Sequence, residues 1–512
     1  MILIIHDTKY VVKIEGCGIN ATAYKGVNIP DVLFDIATRF PGKLLVWCNE
    51  NFEENLAQEN LWKIFHHKRI MASYCVTQYF ISDEIGFVEG TPFIDIKKDI
   101  KYPTWIMSGE VGGIYSETLV VFKNIIQPVA NFDYFLSSLA KTGMSQGLLC
   151  YSAPGLLKSI KDNAKNKWTK NNKVIYSFIG QHYRSRWLFL LLLQQLIYTH
   201  RFPILSVIYG LFKSKIKLNT DLCFPKVESS LQAVIIKEVD VIIPTLGRKE
   251  YLYDVLVDLK NQTVLPKNVI IIEQNEDSTI PSELNYIKDE VWPFPIRHNL
   301  IHITGACNAR NLALAKVRTS WVFMADDDIR IPENFIEEGF NFIRQYKPAA
   351  FNVGYLQEGE QEKVLDIVQW GSFGSGNSWI NATALKGKQF DMGFEHGYGE
   401  DTDFGMQLRK DGNDILYNPF LLLTHLKAPI GGFRKKIRYS WDEERVQPKP
   451  SPTVMLHALK HFTNNQLLRY KTLLFINFYN KQSIKNPIKY IKYMNFRWRV
   501  SKNWAVKLMH TK

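Results

Sequence analysis

Between residues 239 and 326, short β-branched apolar runs alternate with stretches of helical periodicity, and this pattern restricts the fold more than any other. "VDVIIPT" (239–245), "NVIIIEQ" (268–274) and "SWVFMAD" (320–326) read as buried strands bounded by turn residues. "RKEYLYDVLVDLKNQ" (248–262) and "NARNLALAKV" (308–317) carry apolar residues at helical spacing. Such alternation predicts an α/β fold with a parallel sheet, whose ligands gather at the carboxyl ends of the strands.

Three consecutive aspartates, Asp326, Asp327 and Asp328, sit at one such end. Adjacent carboxylates repel at neutral pH, so something must relieve them. Capping of the helix near Pro332 accounts for one acid. A divalent cation on hard oxygen ligands, Mg²⁺ or Mn²⁺ beside a diphosphate, accounts for the cluster more fully. A second cluster follows in "HGYGEDTDFGMQLRKDG" (396–412), where Glu400, Asp401 and Asp403 open a helix and where capping is again the plainer alternative. Further on, His425 ends an apolar run, a place where a lone histidine is more often structural than a ligand. Three acids, an acid pair and a histidine within one α/β domain shift that balance toward chemistry.

A chain of 512 residues exceeds one ordinary core, and 46% hydrophobic content indicates globular packing. The sequence divides into an expected α/β domain at 1–225 ending in apolar helices, a catalytic domain at 236–450 and a tail at 451–512. The net charge of +13 resides in that tail, which holds twelve of the 63 Lys and Arg and no acid, leaving 51 bases against 50 acids elsewhere. Its interleaved aromatics suit a basic amphipathic helix on an anionic membrane, or equally a solvated face packed on the protein. It carries none of the common nucleic-acid signatures, so no nucleic-acid partner is expected. Six scattered cysteines without paired spacing fit a reducing compartment. "MILIIHDTKY" reads as a first strand, not a signal peptide. The apolar run Trp187–Thr199 falls short of the ~20 residues that span a bilayer.

The halves also resemble each other. Residues 43–65 parallel 320–343, and 131–143 can be laid without gaps on 400–412, so that Asn49, Glu50 and Asn51 face the three aspartates and Phe132 faces Asp401. Duplication explains this, as does shared strand and helix patterning.

Taken in order, "VDVIIPTLGRKEYLYDVLVDLKNQT", "GACNARNLALAKV", "FMADDDIRIP" and "GEDTDFGMQLRK" resemble a family-two glycosyltransferase of the GT-A fold over residues 239 to about 430. The details look closest to bacterial enzymes that transfer galactofuranose or rhamnose. The resemblance implies a Rossmann-like GT-A domain preceded by a degenerate GT-A-like α/β domain and followed by a basic helical tail. It implies that Thr245, Arg248, Glu273, Arg310, Asn311, Asp326 and Asp327 bind the nucleotide-sugar donor, a UDP- or dTDP-sugar. Asp328 and His425 would hold Mn²⁺ or Mg²⁺, and Asp401 would be the general base. Trp370 and Glu400 would meet the acceptor, a glycan or polyprenyl-linked sugar, and Asp403 would orient a loop or the acceptor; the loop 370–381 reads equally as a plain connection. Ala325 stands where some relatives have an acid, which leaves open which two aspartates form the working pair.

The expected function is inverting, metal-dependent sugar transfer in cell-surface polysaccharide biosynthesis. The expected location is the cytoplasm, peripherally on the inner face of the membrane. The first half would then be a scaffold or acceptor-binding copy. Two other readings stand beside it: a bifunctional transferase with both halves active, and a glycan- or lipid-binding protein without turnover.

Overall fold

The computed structural model describes residues 1–24, 26–158, 167–216, 222–232, 236–429 and 438–510. Two compact units divide the chain, Met1–Gln232 with Thr463–Thr472, and Ala233–Phe462 with Leu473–Lys512. Parts of the polar linker expected at 213–238 lie outside the described residues.

Unit 1 contains strands β1 (Ile2–His6), β2 (Val11–Glu15), β3 (Leu44–Asn49), β4 (Ile70–Tyr74), β5 (Tyr102–Pro103), β6 (Val111–Tyr115) and β7 (Leu149–Ser152) in one sheet of order β2-β1-β3-β6-β4-β7-β5. Helix α1 (Ile29–Arg39) begins with Pro30 in its first turn, a position with no hydrogen bond to lose, and buries Val32, Leu33 and Ile36. Helix α2 (Phe132–Gly143) is capped by Asn131, whose side chain accepts from the Tyr134 N–H. Helices α3 (Asn172–His182), α4 (Arg186–Gln194) and α5 (Ile204–Leu211) follow.

Unit 2 contains β8 (Val239–Thr245), α6 (Lys249–Lys260), β9 (Asn268–Gln274), β10 (Ile296–Ile301), α7 (Ala306–Leu314), β11 (Trp321–Ala325), β12 (Ile329–Arg330), α8 (Phe335–Tyr346), β13 (Ala350–Leu356), β14 (Asn377–Asn381), α9 (Glu400–Lys410) and β15 (Ile415–His425). Its sheet runs β10-β9-β8-β11-β14-β13-β15-β12, with the short strand Val368–Gln369 also on β15. β9 and β11 are buried along their whole length, which is why they read as continuous apolar runs without alternation. Trp379 of β14 stacks on Phe323 and Phe351, and Gly339 of α8 lets that helix approach closely, since a Cβ there would lie 2.7 Å from the indole.

The tail is helical. Helices α10 (Pro452–His461) and α11 (Pro487–Leu508) bury Met455, Leu456, Met494 and Ala505, while Lys489, Lys492, Phe496 and Arg499 of α11 remain exposed. Among the described residues, no helix is long and apolar enough to cross a membrane.

The two sheets share their wiring. β1 pairs parallel with β3, β3 antiparallel with β6, β6 antiparallel with β4, and β4 parallel with β7. β8, β11, β14, β13 and β15 repeat those pairings and directions in the same chain order. The match corrects one expectation. α2 starts at Phe132 and α9 at Glu400, so Asp133, not Phe132, stands opposite Asp401. Each carboxylate accepts the N–H of a residue two positions before the matching strand: Gly109 for Asp133 at 2.5 Å, Ser375 for Asp401 at 3.3 Å. An ungapped sequence comparison slips here because helical patterning tolerates a one-residue shift that strand pairing forbids. The units differ after their first strand. Unit 2 continues through α6 to β9 and β10, whereas unit 1 folds back at once as the β1–β2 hairpin.

Candidate active site

The aspartate triplet follows β11 directly, and each carboxylate has its own partners. Asp326 accepts from the Tyr355 hydroxyl at 2.7 Å and faces the Arg310 guanidinium at 3.5 Å. Asp327 is buried, accepting from the Thr245 hydroxyl and from Arg248 Nη1, both at 2.7 Å. Burial pushes its carboxyl up to about 6, against the pull of Arg248 and Thr245. Asp328 accepts from the Ala428 N–H at 2.9 Å, with Arg248 at 3.2 Å and His425 Nε2 at 3.6 Å. Burial alone would raise the Asp328 carboxyl, but His425, Arg248 and the Ala428 amide hold it below the usual carboxylate range.

Strand pairing creates the Asp328–His425 contact, because β12 lies antiparallel to the end of β15 with Ile329 opposite His425. The Tyr355 ring stacks on the imidazole at 4.4 Å and fixes its plane. The two adjacent donors suit a divalent cation in kind, a carboxylate oxygen beside an imidazole nitrogen. Among the described residues there is no group of three or more His, Cys, Asp or Glu arranged to hold a metal. Arg248 fills the space between Asp327 and Asp328 as their counter-charge.

Arg310 of α7 joins the two acidic clusters. It is buried, and although burial opposes its charge, Asp401, Asp326 and Glu400 outweigh that effect. Asp401, second residue of α9, uses Oδ2 on the Ser375 N–H. Its Oδ1 is buried with no hydrogen-bond partner among the described residues. Burial raises the Asp401 carboxyl, opposed by Arg310 and Ser375. Glu400 beside it is pushed up to about 7 by burial and by the Asp401 charge.

Other expected residues are occupied differently. Glu273, next to last in β9, accepts from His298 at 2.7 Å, the Ser282 hydroxyl at 2.6 Å and the Glu283 N–H at 3.1 Å. Asn311 brackets the Phe390 backbone, donating to its carbonyl and accepting from its N–H, both at 2.8 Å; this amide organises a loop. Trp370 is half-buried and stacks on Tyr417 at 4.4 Å, while its carbonyl accepts from Arg409. Asp403 corrects an expectation. It is fully buried, and its carboxylate accepts from His461 at 2.7 Å, Lys460 at 2.6 Å and Gln407 at 2.8 Å. It ties α9 to α10 as a buried structural carboxylate.

Residues 240–392 match the profile of glycosyl transferase family 2. By that match, residues 240–392 form a family-two glycosyltransferase segment within the second unit. The match takes in the triplet and the Arg310 segment and stops short of Asp401 and His425. Among solved structures, the chain is similar to the Staphylococcus aureus protein TarS, residues 1–349, in complex with UDP-GlcNAc: 16% identity, 53% of this chain and 83% of that one, TM-score 0.38. It is also similar to GalNAc-T7 with UDP, GalNAc and Mn²⁺: 12% identity, 41% of this chain and 45% of that one, TM-score 0.32. No curated protein matches by sequence.

Sequence reasoning missed several residues that build this site. Tyr355, which holds Asp326 and stacks on His425, lies in a strand between the two motifs and carries no local signal. Gly376 is required because a Cβ there would collide with the Asp326 carboxylate. Glu395 caps α7 by accepting the Cys307 and Asn308 N–H groups at 3.1 and 2.8 Å, a contact across more than eighty residues.

Proposed function

We propose that the glycosyltransferase domain transfers a sugar with inversion from a nucleotide-sugar donor, of the UDP or dTDP type, to a hydroxyl of a glycan or lipid-linked acceptor. The observation that supports this most is the unpartnered, buried Oδ1 of Asp401 beside Arg310 and the aspartate triplet. A buried acceptor atom lacking a donor costs free energy and is retained where a ligand's hydroxyl completes it. The acceptor O–H gives its proton to Asp401, the acceptor oxygen bonds to the anomeric carbon, and the bond from that carbon to the diphosphate oxygen breaks with its electron pair. The nucleoside diphosphate leaves with the extra charge. Arg310, buried, and Arg248, partly buried, would stabilise that charge as preorganised guanidinium groups. Asp328 and His425 would hold Mn²⁺ or Mg²⁺, which supplies further neutralisation of the diphosphate.

The test is Asp401→Asn. Transfer should fall by at least a hundredfold with donor affinity and melting temperature retained. Transfer at a near-normal rate would remove Asp401 from the reaction.

Peripheral membrane attachment belongs to the same proposal and rests on unit 1. The α4–α5 hairpin exposes Leu205 at 79%, Phe212 at 86% and Phe202 at 61%, beside Arg186, Arg201 and Lys213. Large apolar side chains flanked by cations are suited to an anionic bilayer surface. Replacing Phe202, Leu205 and Phe212 with Glu should release the protein from anionic liposomes, and unchanged cosedimentation would overturn the attachment.

A further inference from the structure

Unit 1 keeps half of the architecture that forms the site in unit 2. Its shared strands, β1, β3, β6, β4 and β7, carry a cavity of about 530 Å³ where β1 and β3 end and α2 begins. That volume lies within the usual range of small-ligand sites. Asp133 lines it from the position matching Asp401, and Asn49 lines it from the position matching Asp326. The nucleotide side has no counterpart. The β1–β2 hairpin replaces the α6, β9 and β10 segment, so nothing corresponds to Arg248 or Glu273, and Asn49, Glu50 and Asn51 replace the triplet.

The remaining lining mixes polar and apolar side chains with two charged ones, Lys9 and Glu110. Asn49 Oδ1 accepts from the Asn51 N–H and Nδ2, and its own Nδ2 has no partner among the described residues. His6 is held as the tautomer protonated on Nε2, which donates to the Gly109 carbonyl while Nδ1 accepts the Thr8 N–H. Burial lowers the His6 pKa to about 4, so the ring is neutral at pH 7. Phe132 packs edge-on against His6 and Trp47, forming a rigid aromatic wall. The charged lining residues are one lysine, Lys9, against two carboxylates, Asp133 and Glu110, and Glu110 is engaged by Thr77 and by the Val76 N–H. A diphosphate would meet net negative charge here. A neutral polyol would meet amides, hydroxyls, a carboxylate and aromatic rings.

We infer that the unit 1 cavity binds a neutral sugar residue of a glycan without a metal, with Asp133 accepting from its hydroxyls and Asn49 donating to one of them. Its occupancy can be read without any turnover.

The experiment is saturation-transfer NMR on the full chain in EDTA, with glucose, galactose, N-acetylglucosamine, maltose, cellobiose and chitobiose each at millimolar concentration. At least one sugar should receive saturation. Gln78→Trp, which places a ring at the exposed rim of the cavity, should abolish the signal, and Asp133→Asn should weaken binding about tenfold, as loss of a charge-assisted hydrogen bond does. If Asp133→Asn does not fold, Gln78→Trp decides alone. No saturation of any sugar, or signals unchanged in the folded variants, would overturn the inference. So would metal-free UDP binding that Gln78→Trp abolishes.

Discussion

Asp403→Ala separates a structural acid from a chemical one. In the folded protein the Asp403 carboxylate is fully buried and accepts three side-chain hydrogen bonds, from His461, Lys460 and Gln407. Lys460 retains Asp391 at 2.7 Å after the substitution, but the buried His461 Nε2–H loses its acceptor. Breaking a buried, hydrogen-bonded charge pair costs roughly 3–5 kcal/mol, and the surviving Asp391 pair places this case at about 3. For a unit of this size the melting temperature should fall by roughly 6 to 12 °C, measured calorimetrically. The pH dependence gives a second reading. Burial raises the Asp403 carboxyl, yet His461, Lys460 and Gln407 outweigh it and hold the group down to about 2, below its ordinary 3.8. The folded state therefore binds this proton less readily than the unfolded chain. The resulting stability, about 2 kcal/mol, is complete above about pH 4 and is lost as pH falls toward 2. Asp403→Ala should remove that portion of the acid dependence. Unchanged melting together with lost sugar transfer would refute the argument and return Asp403 to the acceptor.

Tyr355→Phe keeps the stack on His425 but deletes the hydroxyl that holds Asp326, and should reduce transfer about tenfold with little change in melting temperature. An unaltered rate would mean that Asp326 needs no positioning. Gly376→Ala places a methyl where the Asp326 carboxylate lies, and should lower transfer about a hundredfold while circular dichroism stays native, since the carboxylate can rotate away. Native donor affinity and rate in this variant would separate Asp326 from the reaction.

The catalytic half was legible because its signals are local. A strand such as "NVIIIEQ" declares itself by continuous β-branched residues, and the Arg310, triplet and Asp401 segments follow one another in family order. The residues that escaped are defined by distant partners. Asp403 reads as one more acid at a helix start until His461, fifty-eight residues later, packs against it. Glu395 reads as a loop acid until α7 presents its amides. The Asp133 match escaped for a different reason. Apolar residues at helical spacing align almost as well one residue out of register, and the Gly109 N–H on Asp133, matching the Ser375 N–H on Asp401, fixes the frame.

The triplet shows how a local signal can be read correctly and explained too simply. Three adjacent carboxylates suggested one shared cation. The fold instead gives each acid its own environment: a tyrosine hydroxyl and Arg310 for Asp326, a threonine hydroxyl and Arg248 for Asp327, a backbone amide and His425 for Asp328. Their proton affinities diverge accordingly, with Asp327 pushed up to about 6 and Asp328 held below the usual range. A cation ligand must be deprotonated, and Asp328 meets that requirement beside an imidazole, whereas Asp327 has both oxygens committed to Thr245 and Arg248. This divides the labour within the triplet: Asp327 holds Arg248, Asp328 is the candidate ligand, and Asp326 is tied to Tyr355 and Arg310.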